Sequence, residues 1–183
     1  MTTTSGDSGS DVEDAPGDPE TVARIICLRL LGQRACTRAE LATALAKRGV
    51  PDEDACTVLD RFSAVGLIDD AAFATTFATA RHASGGLGRR AIWAQLHRRG
   101  VDEVTIERAL SGIDADSELE TARALVETRL PRMAGLEPMV AARRLTAMLA
   151  RKGYSAEIAA NAVRQALVMA ADAETLGPDR DDP

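Results

Sequence analysis

The chain has 183 residues, 45% of them hydrophobic but only 3% aromatic, so its buried groups are mostly Leu, Val, Ile and Ala, which suit closely packed helices better than a sheet. No run of 18 apolar residues occurs, and no basic region followed by an apolar stretch opens the chain, so neither a membrane span nor a secretory signal is expected and the location reads as cytoplasmic. The formal charge of -6 is unevenly spread: residues 1–20 hold six acids and no base, residues 171–183 five acids and one base, and residues 21–170 a net +4. A mildly basic body between acidic, Gly/Ser/Pro-rich tails permits a polyanionic partner, and the tails, 1–19 and 171–183, read as disordered.

A helical stripe starts after Pro19 with Val22, Ile25, Ile26 and Leu30, and Gln33 to Cys36 breaks it. Thr37-Arg-Ala-Glu40 reads as a capping box for a helix carrying Leu41 and Leu45. That helix is expected to stop at Gly49, with Lys47 and Arg48 beside its negative end. Pro51 suits the first residue of a further helix running to about Phe62. After a turn at Gly66, Asp69 caps a helix from Asp70 to about His82, with Phe73, Phe77 and Ala80 among its apolar positions. Asp116 or Ser117 opens another, carrying Leu119, Ala122, Leu125, Val126 and Leu130.

One element recurs three times: Leu45-Ala-Lys-Arg-Gly-Val50, Leu96-His-Arg-Arg-Gly-Val101 and Leu149-Ala-Arg-Lys-Gly-Tyr154. Each leucine has an aliphatic partner four residues earlier (Leu41, Ile92, Leu145), and each glycine (Gly49, Gly100, Gly153) a further one ten residues later (Leu59, Leu110, Val163). Such self-similarity is the mark of a repeat protein. The fold class is therefore all-α, with three tandem three-helix units over 20–62, 63–112 and 113–170, docked in an extended or curved array.

Catalytic chemistry finds no support in the pattern. Cys27, Cys36 and Cys56 contain no CxxC pair and read as reduced, mostly packed thiols. His82 and His97 lie 15 residues apart without neighbouring ligands, so no metal or general-base role is expected and packing or surface roles are. Gly85-Gly-Leu-Gly88 lacks the preceding strand and the Gly-Lys-Ser/Thr of a phosphate loop. It reads as a flexible hinge or hairpin that frees Arg89 and Arg90. Asp69 and Asp70 are explained as a cap and a first-turn acid. No cofactor is expected. What stands out is the span from Ala71 to Val101, which holds no acid yet carries Arg81, Arg89, Arg90, Arg98 and Arg99. Those five are the candidate contacts for nucleic acid or an acidic protein, with Lys47, Arg48, Arg151 and Lys152 as secondary ones. Trp93 is the sole aromatic near them, which favours backbone or carboxylate contact over base stacking.

The string Gly66-Leu-Ile-Asp-Asp-Ala-Ala-Phe73-Ala, followed by Gly88, Ile92, Leu96 and Arg99-Gly-Val101, resembles the RecX family of regulatory proteins. Thr37-Arg-Ala-Glu-Leu41 with Lys47-Arg-Gly-Val50 is similar to that family's first unit, and Leu149 to Tyr154 to its third. The resemblance spans about residues 20–170. It implies a non-enzymatic modulator, mainly an inhibitor, of the RecA recombinase, acting in homologous recombination, DNA repair and the SOS response. It further implies binding in the groove of the RecA–single-stranded DNA filament, limiting filament growth, ATPase, strand exchange and co-protease activity. On this view Asp69 and Gly100 are cap and turn residues, Gly88-Arg89 replaces the family's Gly-Pro, and Gln95 replaces its Glu. The expected partners are the recombinase filament and the single strand within it, met by a monomer. A direct DNA-binding helical protein and a helical-repeat scaffold are the other two readings.

Overall fold

A computed structural model describes residues 18–175, with side chains to 172; the rest of the two acidic tails lies outside the described residues. Among the described residues there are nine α-helices and one 3-10 turn. They are α1 (Pro19–Leu31), α2 (Arg38–Ala46), α3 (Asp52–Ala64), α4 (Asp70–Ala83), α5 (Arg89–Arg98), α6 (Glu103–Leu110), α7 (Ala115–Arg129), the 3-10 turn Leu130–Met133, α8 (Pro138–Arg151) and α9 (Ala156–Thr175).

Local sequence explains most of the boundaries. Asp18, Asp69, Asp102 and Asp114 each accept a hydrogen bond from a backbone N–H in the first turn of the following helix (α1, α4, α6 and α7, respectively), satisfying donors that a helix start leaves orphaned. Asp114 thus opens α7 slightly before the expected Asp116 or Ser117: its carboxylate reaches the Ser117 N–H at 2.7 Å, leaving Asp116 as a first-turn acid. Pro51 stands at the N-cap of α3 rather than inside it. The glycine of each repeated element is left-handed, with φ of 75° at Gly49, 76° at Gly100 and 90° at Gly153. This conformation turns the chain out of the second helix of each repeat and is strained for any residue with a Cβ. The alanine-rich stretch from Ala170 lets α9 continue to Thr175, past the 170 expected for the end of the third unit.

The apolar positions sort into three cores, one for each group of three helices. The first gathers Leu41, Leu45, Val58, Leu59 and Phe62; the second Ile92, Leu96, Ile106 and Leu110; the third Leu145, Leu149, Tyr154 and Val163. All nine leucine, isoleucine and valine anchors of the repeat are buried. The first helix of each triplet departs from expectation. Its deeply buried pair is small: Ala23 and Cys27 in α1, Ala74 and Ala78 in α4, Ala122 and Val126 in α7. Val22 and Ile25 face solvent instead, and Phe73 and Phe77 are only half-buried. Small i, i+4 residues let the backbones of α1 and α3, α4 and α6, and α7 and α9 approach closely, so large side chains are displaced to the flanks.

The chain divides into two compact units, one containing the described residues up to Cys36 with Glu40–Ile68, the other Thr37–Ala39 with the described residues from Asp69 onward. In the first, α1 packs on α3 and Arg61 pairs with Glu20. The second holds two three-helix cores, α4–α6 and α7–α9.

Candidate functional site

Within the second unit the turn between α8 and α9 is seated against the start of α5. The Gly88 N–H donates to the Lys152 carbonyl at 2.9 Å, and Lys152 Nζ and the Tyr154 hydroxyl donate to the carbonyls of Gly85 and Gly86. The buried Glu118 of α7 accepts the Arg89 N–H at 2.9 Å, capping α5 from outside its own three-helix group. Thr37–Ala39 repeat this arrangement: Thr37 Oγ1 donates to the Arg99 carbonyl at 2.7 Å, and the Arg38 N–H to Asp70 Oδ1 at 2.9 Å. Burial raises the Asp70 carboxyl above the usual range against the opposing pull of that N–H, whereas Asp102 is lowered by the side chain and then the backbone of Thr105.

His82 is pinned in the same region. Its Nδ1 lies 3.0 Å from the Leu87 carbonyl and its Nε2 3.0 Å from Thr121 Oγ1, so it is a buried packing residue joining α4 to α7. The expected flexible hinge at Gly85 to Gly88 is therefore a fastened loop, because the turn after α8 supplies donors for its carbonyls.

That fastening separates the candidate arginines. Arg89 is not free: its Nη1 donates to the carbonyls of Leu110 (3.0 Å) and Ile113 (2.6 Å), tying the start of α5 to the end of α6. Arg99 lies over the Phe73 and Phe77 rings at 5.6 and 5.0 Å, and Arg81 over Phe77 at 5.1 Å, so these two cations meet on one aromatic ring. Arg90 and Arg98 are exposed on α5. Of the secondary set, Lys152 is engaged with the Gly85 loop, Arg48 reaches back to the Ala44 carbonyl, and Lys47 and Arg151 are exposed. Lys47 and Arg48 belong to the first compact unit.

Reading the sequence missed the Trp93–His97 pair. The two rings stack with centroids 4.7 Å apart and planes 13° from parallel, on the helix face that also carries Arg90. The i, i+4 spacing was the available signal. Among the described residues no group of three His, Cys, Asp or Glu side chains is placed to hold a metal, and no helix is long and apolar enough to cross a membrane. None of the three cysteines forms a disulfide; Cys27 and Cys36 are buried, and burial, then the nearby Cys36, raises the Cys27 thiol.

These features define an all-helical protein of three tandem three-helix domains, the middle one carrying the exposed Arg81, Arg90 and Arg98. Family models describing the first, second and third three-helix domains of RecX match residues 23–62, 69–110 and 116–163. The regulatory protein RecX of Thermobifida fusca is 50% identical over 153 residues, covering 84% of this chain and 83% of that protein. The regulatory protein RecX of Streptomyces coelicolor is 48% identical over 160 residues, covering 87% and 85%. The crystal structure of RecX from Lactobacillus salivarius superposes with a TM-score of 0.78 at 18% identity, covering 82% of this chain and 98% of that one. A second crystal structure of regulatory protein RecX gives 0.70 at 22% identity, covering 86% and 78%. The chain belongs to the RecX family of regulatory proteins.

Proposed function

We propose that this protein is a non-enzymatic modulator, mainly an inhibitor, of the RecA recombinase. It acts in the cytoplasm as a monomer, on the RecA–single-stranded DNA filament, limiting growth, ATP turnover, strand exchange and co-protease activity. The observation that carries the reading is the match of all three helical domains, in order, to the RecX family. The middle domain supports it, since the exposed Arg81, Arg90 and Arg98 lie in a span without a single acid. Exposed cations of this kind attract a polyanion and suit the phosphate backbone of a filament or an acidic recombinase surface.

The test is ATP turnover by the cognate RecA on single-stranded DNA, measured while this protein is added. Inhibition is expected, far below one protein per recombinase subunit if filament ends are capped, and near one per few subunits if the groove is lined. Unchanged turnover together with sequence-selective binding to duplex DNA would replace this reading with a direct DNA-binding one. Unchanged turnover without DNA binding would leave a scaffold.

A further inference from the structure

The aromatic pair on α5 has a cavity beside it. Trp93, Arg89, Arg90, Glu107 and Leu110 wall an open cavity of about 300 Å³ between α5 and α6, at the small end of the range for pockets that hold a compact ligand. Its walls differ in chemistry. Trp93 contributes a half-buried indole, already stacked on His97, which holds the ring in one orientation. Leu110 contributes a buried aliphatic floor. Glu107 presents an exposed carboxylate, its Oε2 4.0 Å from Arg89 Nη2 and able to accept further hydrogen bonds, and Arg90 is an exposed cation at the rim.

A flat heterocycle with N–H donors on its edge and a phosphate attached to it satisfies all of these at once. We propose that this cavity receives one unstacked nucleobase of a single strand, stacked on Trp93, with its exocyclic amine toward Glu107 and its phosphate toward Arg90. Arg89, whose Nη1 donates to the Leu110 and Ile113 carbonyls and whose Nη2 lies 4.0 Å from Glu107, ties α5 to α6 beside the cavity. An acidic protein segment would use Arg90 but would leave the indole unused. The proposal rests on the filament-modulator reading and adds to it a direct base contact, which charge alone does not supply. A duplex keeps its bases stacked and paired and is therefore excluded from the cavity.

Trp93 is the only tryptophan in the chain, so its fluorescence reports on this cavity alone. A short oligo-dC, an abasic strand of the same length and a duplex are titrated into the free full-length protein at low salt, with binding followed independently by anisotropy. Oligo-dC is expected to quench Trp93 emission, while the abasic strand and the duplex bind through charge without quenching. Trp93→Phe is expected to keep oligo-dC affinity within about threefold, and Trp93→Leu to weaken it about tenfold, the scale of one base–aromatic stack. Equal quenching by the abasic strand or the duplex, binding of oligo-dC without a change in emission, or no binding of oligo-dC overturns the proposal. Those comparisons use the unmodified protein, so they hold even if Trp93→Leu disturbs the second core. Inhibition of recombinase ATP turnover is measured in parallel. Inhibition without base-dependent quenching removes the cavity but keeps the modulator, and quenching without inhibition does the reverse.

Discussion

Gly153 and Ala91 approach so closely that a Cβ on the glycine would lie 2.4 Å from the Ala91 nitrogen and 2.5 Å from its methyl group. The approach is reciprocated, since a Cβ on Gly88 would meet the Gly153 carbonyl group and the Tyr154 nitrogen at 2.7 Å. Glycine at 153 thus answers two demands: a φ of 90° that ends α8 and a backbone-to-backbone seat for the start of α5. Gly49, by contrast, has a φ of 75°, and a Cβ there would find nothing within 4 Å, so it answers only the first.

That difference predicts unequal costs for one chemical change. Gly49→Ala is expected to lose about 1–2 kcal/mol, the penalty for placing an L-residue in the left-handed region. Gly153→Ala adds overpacking against backbone atoms that cannot swing aside, roughly 1–3 kcal/mol more. Urea unfolding of the two variants checks this, and equal losses would show that the Gly153 seat yields freely.

Arg89 is expected to behave as a structural residue. Removing its guanidinium strands the carbonyls of Leu110 and Ile113, so Arg89→Ala should cost roughly 1–3 kcal/mol, against about 0.5 kcal/mol or less for the exposed Arg98→Ala. Thermal melts of the two single variants distinguish the cases. Equal, small shifts would mean that water replaces the guanidinium at no cost.

Much of this fold is legible in the sequence because the repeated element is a set of physical requirements. The i, i+4 aliphatics, the basic pair and the left-handed glycine each leave a residue-type signature, and Leu41, Ile92 and Leu145 are all fully buried. The first helix of each triplet is harder to read. Its buried face is set by close backbone approach, which selects Ala23, Cys27, Ala74 and Ala78, and these look unremarkable beside Ile25 or Phe77. The candidate site is only partly legible. An acid-free arginine span shows charge, but which guanidinium is consumed internally depends on partners such as Ile113 for Arg89, 24 residues away. Trp93 and His97 are visible as residues, but their stacking and the cavity beside them are not.

Tyr154 should titrate late. Its hydroxyl is buried and donates to the Gly86 carbonyl at 3.2 Å; burial first, and the Glu118 carboxylate second, push the phenol up to about 12 from 10. The folded protein therefore holds this proton more tightly than the unfolded chain. The resulting stability is intact below pH 10 and is lost as the pH rises through about 12, at most roughly 2–3 kcal/mol. Tyr154 is the only tyrosine, so phenolate absorbance follows it directly. A single step near 12 in the native protein and near 10 in denaturant is expected; a native step near 10 would refute the buried environment.

The contact surface is tested most cleanly at Arg90 and Arg98, because Arg89 supports the fold and Arg99 is packed on Phe73 and Phe77. The double variant Arg90→Ala/Arg98→Ala should keep its helicity, since exposed arginines contribute roughly 0.5 kcal/mol or less each. It should also inhibit recombinase ATP turnover less than the unmodified protein. If both side chains meet phosphate, the log–log salt dependence of single-strand binding should fall by about one unit for each arginine removed. If they meet acidic recombinase residues instead, inhibition should fall while binding to free single strands keeps its affinity and salt slope. Full inhibition by the folded double variant would move the binding surface away from the exposed face of α5. The exposed Lys47 of the first unit and Arg151 at the end of α8 would then be the next cations to replace.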